Sequence, residues 1–221
     1  AIYKFVKRVF NQEISGRKVD IASGLLEHYK SVLIKSSYDT KAIINQFTIN
    51  KTAYNPQTNE PYIPGTSVKG AARTAYLSHL AVSKGKKDAK EKAKDLEIAL
   101  LQGEFDTDPF RMVKVSDFQS VEQVRTKIVY GVNKKKRVSD WATKASSGPL
   151  QIFEVIESGG VFEGIINIGI PEKKAGIKTP VEQTTLLKAV HQHYNKLYAQ
   201  EVAITKECGF RPVTADSFSK R

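Results

Sequence analysis

The stretch Tyr62-Ile63-Pro64-Gly65-Thr66-Ser67-Val68-Lys69-Gly70-Ala71-Ala72-Arg73-Thr74 decides how this chain is read. An extended pair, Tyr62-Ile63, runs into proline and glycine. Beyond them Val68, Ala71, Ala72, Ala75 and Tyr76 recur with the period of a helix that continues to about Ala81. The first amides of a helix have no intrahelical acceptor, so a sharp strand-to-helix turn offers donors to an anion, and the helix dipole adds partial positive charge there. Gly65 removes the side chain that would hold a phosphate off the backbone, and Thr66 and Ser67 supply hydroxyls. Lys69 and Arg73, four residues apart, extend the positive surface along one helical face. A structural reading carries comparable weight on physics alone: Gly65 and Gly70 serve turn geometry and close packing, and the two cations are solvated. A nucleotide-binding P-loop does not fit, because here the lysine precedes the second glycine.

Outside this stretch, composition narrows the class. The chain has 221 residues, 40% hydrophobic, enough for one sizeable core or two small ones. Its 35 lysines and arginines against 23 acids leave a formal charge of +12, which points to a polyanionic partner, nucleic acid first. A single cysteine, Cys208, excludes an internal disulfide framework. No signal-peptide pattern and no apolar run of bilayer length is present, so a cytoplasmic protein without a membrane role is expected. The four histidines and one cysteine have no zinc-site spacing; His191 and His193, two apart, point in different directions on a helix, and no metal or other cofactor is expected.

Along the chain, Ile2 to Val9 and Ala22 to Leu33 show helical spacing, the second with Leu25, Leu26, Tyr29 and Leu33 on one side. Asn45 to Tyr54 alternates into the turn cluster Asn55 to Asn59, and Glu60 to Ile63 resumes an extended path, predicting a hairpin. Lys84 to Lys94 reads as a solvated helix joining Leu96 to Leu101. Strands are expected over Phe110 to Asp117, Thr126 to Val132, Leu150 to Ile156 and Val161 to Ile170, the last two joined by a turn at Glu157-Ser158-Gly159-Gly160. Asn133 to Pro149, with Lys134, Lys135, Lys136 and Arg137, reads as a loop. Thr179-Pro180-Val181-Glu182 has the form of a capping box opening a helix. Its apolar stripe, Leu186, Leu187, Val190, Tyr194, Leu197 and Tyr198, is expected to pack on a sheet. No fixed-period repeat is present.

The turn-and-helix stretch resembles the Ile-Pro-Gly-Ser-Ser-Leu-Lys-Gly-Ala-Leu-Arg signature of the RAMP superfamily of CRISPR effector complexes. Phe110-Arg111 through Val115-Ser116-Asp117, with Phe153-Glu154-Val155-Ile156 and Val161-Phe162-Glu163-Gly164, resembles the type III-A (Csm) subfamily whose member caps the 3′ end of the guide RNA (crRNA). The likeness covers roughly Gln46 to Ile170. It implies an α+β protein with a ferredoxin-like, RNA-recognition-motif-like core over residues 46–170, a helical segment over 1–45, and a helix and tail over 171–221 packing on the core. Two parts of the family pattern are not visible: the opening strand with its His-Ile-Gly-type segment and the glycine-rich loop near the carboxyl terminus. An incomplete chain, or a second incomplete RAMP domain, is therefore expected. The resemblance implies no cofactor, and a non-catalytic subunit is expected. The implied partners are crRNA and neighbouring RAMP subunits, with target RNA and host nucleases as further ones.

The residues expected to face RNA are Gly65, Thr66, Ser67, Lys69, Gly70, Arg73, Arg111, Lys114, Lys134, Lys135, Lys136, Arg137 and Trp141. Trp141 lies beside the basic run, where an aromatic ring can stack on an unpaired base; core packing suits Phe110 and Tyr130 better. Glu104, Asp106, Asp108 and Asp117 are the only carboxylates clustered in sequence and would suit a magnesium site, but solvated loop acids are the commoner case. Asp117 could instead pair with Arg111 or Arg73. The enzymatic alternative is a metal-independent crRNA-processing endoribonuclease using His28 or His79.

Overall fold

The computed structural model describes residues 19–34, 48–86, 92–131 and 151–209. In chain order the elements are β1 (Asp20–Ile21), α1 (Ser23–Ile34), β2 (Ile49–Asn50), β3 (Tyr62–Ile63), α2 (Gly65–Ser83), α3 (Ala93–Leu101), β4 (Val113–Val115), β5 (Phe118–Ser120), β6 (Thr126–Gly131), β7 (Gln151–Ile156), β8 (Phe162–Glu163), β9 (Ile166–Ile168) and α4 (Gln183–Glu207). The fold class is α+β, as expected. Two compact units form, and the chain passes between them at Tyr62–Ile63, Phe118–Gln119 and Glu163–Gly164, so residues 46–170 contribute to both. The helix expected over Ile2 to Val9 and the loop expected over Asn133 to Pro149 lie outside the described residues.

The first unit is built on a sheet of order β1-β6-β7-β2. β6 and β7 are antiparallel, Thr126 opposite Ile156 and Gly131 opposite Gln151, while β1 and β2 add in parallel at the two edges. Ile152 is buried, as is Glu154, whose carboxylate accepts from Thr126 Oγ1 at 2.8 Å; a buried charge is tolerated only with such partners. The turn read from Asn55 to Asn59 forms as its chemistry dictates. Asn55 Oδ1 accepts from the Gln57 amide at 2.9 Å, and Asn59 takes a left-handed conformation (φ 57°). The hairpin closes only near that tip, where Tyr54 bridges Pro61 and the Tyr62 amide donates to the Ala53 carbonyl. β2 itself pairs with β7, not with β3, because a parallel ladder takes its edge groups.

A second expected hairpin is also corrected. Gly159 has the positive φ of a turn (96°), but β7 pairs with β6, β8 with β5 and β9 with β4. The segment Val161 to Ile170 is two strands. At Gly164 the backbone runs so close to the Phe118 ring that a Cβ would lie 2.5 Å from it, and the extended path breaks there.

In chain order the second unit holds α2, α3, β4, β9 and α4; α3 apart, this is the α-β-β-α succession of a ferredoxin-like arrangement. β4 and β9 are antiparallel, with Lys114 opposite Asn167. The core is a cluster of Ala72, Tyr76, Leu101, Phe110, Val113, Val181, Leu186 and Ala189. Tyr76 meets Phe110 edge-on at 5.6 Å, a favoured aromatic geometry. α4 packs mainly on α2 rather than on a sheet. Only the start of its apolar stripe is enclosed: Leu186 and Ala189 are buried, whereas Leu187 is 57% exposed and Tyr194, Leu197 and Tyr198 face solvent.

Three local expectations in this unit are overturned. The helix foreseen at Thr179 starts at Gln183, with no side-chain bond at its cap, because Thr179 Oγ1 donates to the Leu101 carbonyl at 2.6 Å instead. That bond satisfies an orphan C=O at the end of α3, so tertiary pairing outcompetes the local box. Phe110, Arg111 and Met112 are not strand but a 3₁₀ turn, Pro109–Met112, capped by Asp108 through the Phe110 amide at 2.7 Å. The lysine-heavy segment is not continuous helix in its described part, since α2 ends at Ser83, Gly85 follows with φ 68° and α3 begins at Ala93.

Candidate nucleic-acid interface

The turn into α2 forms where the sequence places it, yet its amide chemistry differs from the expectation. The Gly65 N–H donates to Asp117 Oδ1 at 2.7 Å, so a carboxylate of the same chain takes the first donor. Asp117 pairs with neither Arg111 nor Arg73 but caps α2, a role favoured by the helix dipole. Gly65 is required by packing. A Cβ there would sit 2.4 Å from the Ser116 carbonyl oxygen and 2.6 Å from that of Val115, distances that backbone atoms cannot yield. The Ser67 and Val68 amides donate to the Pro64 carbonyl; among the described residues, the Thr66 N–H has no acceptor.

Arg73 faces inward as a structural ion pair. Its Nη1 and Nη2 donate to the two carboxylate oxygens of Asp108 at 3.0 and 2.6 Å, its Nε donates to Glu97 Oε1 at 2.6 Å, and the guanidinium lies 5.1 Å from the Phe110 ring centre. Burial alone would raise the Asp108 carboxyl, but the hydrogen bonds from Arg73 and the Phe110 amide and the Arg73 charge outweigh it and hold the carboxyl below its ordinary range. Burial likewise opposes the Arg73 charge, and the bonds to Asp108 and Glu97 raise it above the usual guanidinium value. Asp108 thus ties α2 to the 3₁₀ turn, and of the four clustered acids Asp108 and Asp117 are engaged in bonds within the chain. Arg111 is exposed, donating to the Phe105 carbonyl at 3.2 Å with Asp106 at 3.7 Å.

What remains open at the start of α2 is a smaller basic surface. Thr66 and Ser67 are exposed. Gly70 is exposed too, and a Cβ placed on it would meet nothing within 4 Å, so no close packing uses it among the described residues. Lys69 carries a lowered pKa, first through burial and then through the Lys114 ammonium, with Asp108 opposing and Arg73 adding to the effect. Lys114, on the exposed side of β4, therefore shares the field of Lys69. An anion bound here would offset the effect of the Lys114 charge on Lys69. The link was hidden in sequence, since 45 positions separate the two lysines and only the packing of α2 on β4 joins them.

Lys134, Lys135, Lys136, Arg137 and Trp141 lie outside the described residues. His28 Nδ1 is 2.9 Å from the Tyr130 hydroxyl in the first unit, and His79 lies on α2 in the second. Among the described residues no helix is long and apolar enough to cross a membrane, and no group of three or more metal-binding side chains forms.

Comparison with solved structures finds the chain similar to the crystal structure of T. onnurineus Csm5, at 17% identity and a TM-score of 0.51, over 92% of this chain and 73% of that one. At that identity the likeness bears on the fold. No curated protein sequence matches. The family model of the RAMP superfamily matches residues 21–200, which include the turn into α2, Lys69, Lys114 and most of α4. On that match the chain belongs to the RAMP superfamily.

Proposed function

We propose that this chain is a non-catalytic crRNA-binding and assembly subunit of a type III-A CRISPR effector complex, capping the 3′ end of the guide and supporting its maturation. The observation that carries the RNA-binding part is the Lys69–Lys114 pair beside the open hydroxyls of Thr66 and Ser67 and the uncovered backbone of Gly70. Among the described residues Asp108 is the acid that acts on Lys69, and it is already held by Arg73. A phosphodiester supplies the missing acceptors. The net charge of +12 supplies the long-range attraction. Contacts of this kind position a strand without reading its bases, so binding is salt-dependent and indifferent to sequence. The capping role rests on the likeness in fold to Csm5 and on the sequence resemblance.

The test is a salt titration of single-stranded RNA binding by filter assay. Each lost phosphate contact on a single strand reduces the slope of log K against log salt by about 0.7, so Lys69→Ala with Lys114→Ala should flatten it by roughly 1.4. An unchanged slope would remove the site. A cleavage assay on precursor RNA guards the other side of the proposal: metal-free product that disappears on changing His28 or His79 would replace the binding role with an endoribonuclease.

A further inference from the structure

A second cluster of hydrogen-bond donors lies where α2 and α4 meet. Ser78 and His79 of α2 and Gln192, His193 and Lys196 of α4 surround a cleft of about 180 Å³ whose apolar floor includes the buried Ala75 and Ala189. Both histidines are half-buried, yet among the described residues neither has a hydrogen-bond partner; the His193 ring meets only Tyr194, edge-on at 4.9 Å. Gln192 and Lys196 also make no hydrogen bond or ion pair within the described chain. The surroundings explain why. α2 contains no aspartate or glutamate at all, and α4 contains none before Glu201. These donors are open to solvent and to an incoming acceptor.

We propose that this cleft is a second phosphate-binding subsite for RNA, contacting the backbone of the same strand that passes Lys69 and Lys114. The inference rests on the RNA-binding reading above. His79 follows Lys69 by ten residues, which at 1.5 Å and 100° per residue is about 15 Å along α2 and some 80° round it, so a strand crossing the helix obliquely meets both places. Lysine gives a fixed charge, and the imidazoles, amide and hydroxyl give directed N–H and O–H donors for the phosphate oxygens.

The experiment is the same salt titration on a His79→Gln, His193→Gln, Lys196→Gln variant with Lys69 and Lys114 intact, checked by circular dichroism and thermal unfolding. The slope should flatten by about 0.7 and affinity at physiological salt fall severalfold. Should the triple variant not fold, Lys196→Glu alone, at an exposed position, should weaken binding, and Lys196→Arg should retain it. A folded triple variant with wild-type slope and affinity overturns the subsite while the Lys69 and Lys114 result stands on its own. Wild-type protein without salt-dependent RNA affinity overturns both proposals.

Discussion

Replacing Arg73 with alanine should unfold the second unit more readily and leave the RNA salt slope nearly unchanged. The side chain makes three charge-assisted hydrogen bonds, two to Asp108 and one to Glu97, and its guanidinium covers Phe110. Bonds to charged groups contribute about 1.5–3 kcal/mol each, and breaking a buried pair costs about 3–5 kcal/mol because the partner's charge stays behind. Here the side chains of Arg73, Asp108 and Glu97 keep 25%, 20% and 35% of their exposure, so water recovers part of the loss and about 3 kcal/mol is the expected cost. That corresponds to a fall in Tm of roughly 10 °C. Arg73→Lys, which keeps the charge but not the planar fork, should recover only part of it. The same contact sets an acid dependence. Asp108 has a depressed folded pKa, so its contribution is present above the ordinary aspartate value near 3.9 and is lost as pH falls through the lower folded value. Denaturant titration or calorimetry from pH 7 to pH 2 should show a shallower acid decline in Arg73→Ala than in wild type. An unaltered Tm with a flattened RNA salt slope would refute the reasoning and return Arg73 to the RNA surface.

Other substitutions separate packing from binding. Gly65→Ala forces a Cβ onto the Ser116 and Val115 carbonyls and should cost about 2–3 kcal/mol in chemical denaturation; a neutral result would mean the turn relaxes freely. Gly70→Ala meets open space inside a helix, so it should raise stability by about 0.5–1 kcal/mol while weakening RNA binding by filter assay, and tighter binding would exclude a close approach of RNA there. Lys114→Ala removes the repulsion on Lys69, so the Lys69 ammonium should titrate at higher pH by NMR while stability holds or rises by a few tenths of a kcal/mol; a downward shift would contradict the pairing.

The separate lessons of particular residues show what could be read in advance. The α2 helix and the Asn55 turn were legible because their signals are local: spacing of apolar residues, a side-chain acceptor two residues ahead, a residue tolerant of positive φ. The 3₁₀ turn at Pro109 carried its own signal, Asp108 followed by proline, which the apolar run after it concealed. The capping box at Thr179 satisfied every local rule and still lost to a carbonyl 78 positions away. The partners of Arg73 and Asp117 were equally out of reach, since 24, 35 and 52 positions separate the bonded groups.

Sequence by itself determined the charge class, the strand-to-helix turn, the α2 helix and the family likeness, all of which depend on composition or on neighbours within a helical turn. Tertiary structure alone decided which charges are available. It engages Arg73, Asp108 and Asp117 in bonds within the chain, places Lys114 where it acts on Lys69, and sets His193 and His79 around one cleft. The physical reason is that a charge's role depends on what lies within a few ångströms of it, and in a folded chain those neighbours come from remote positions.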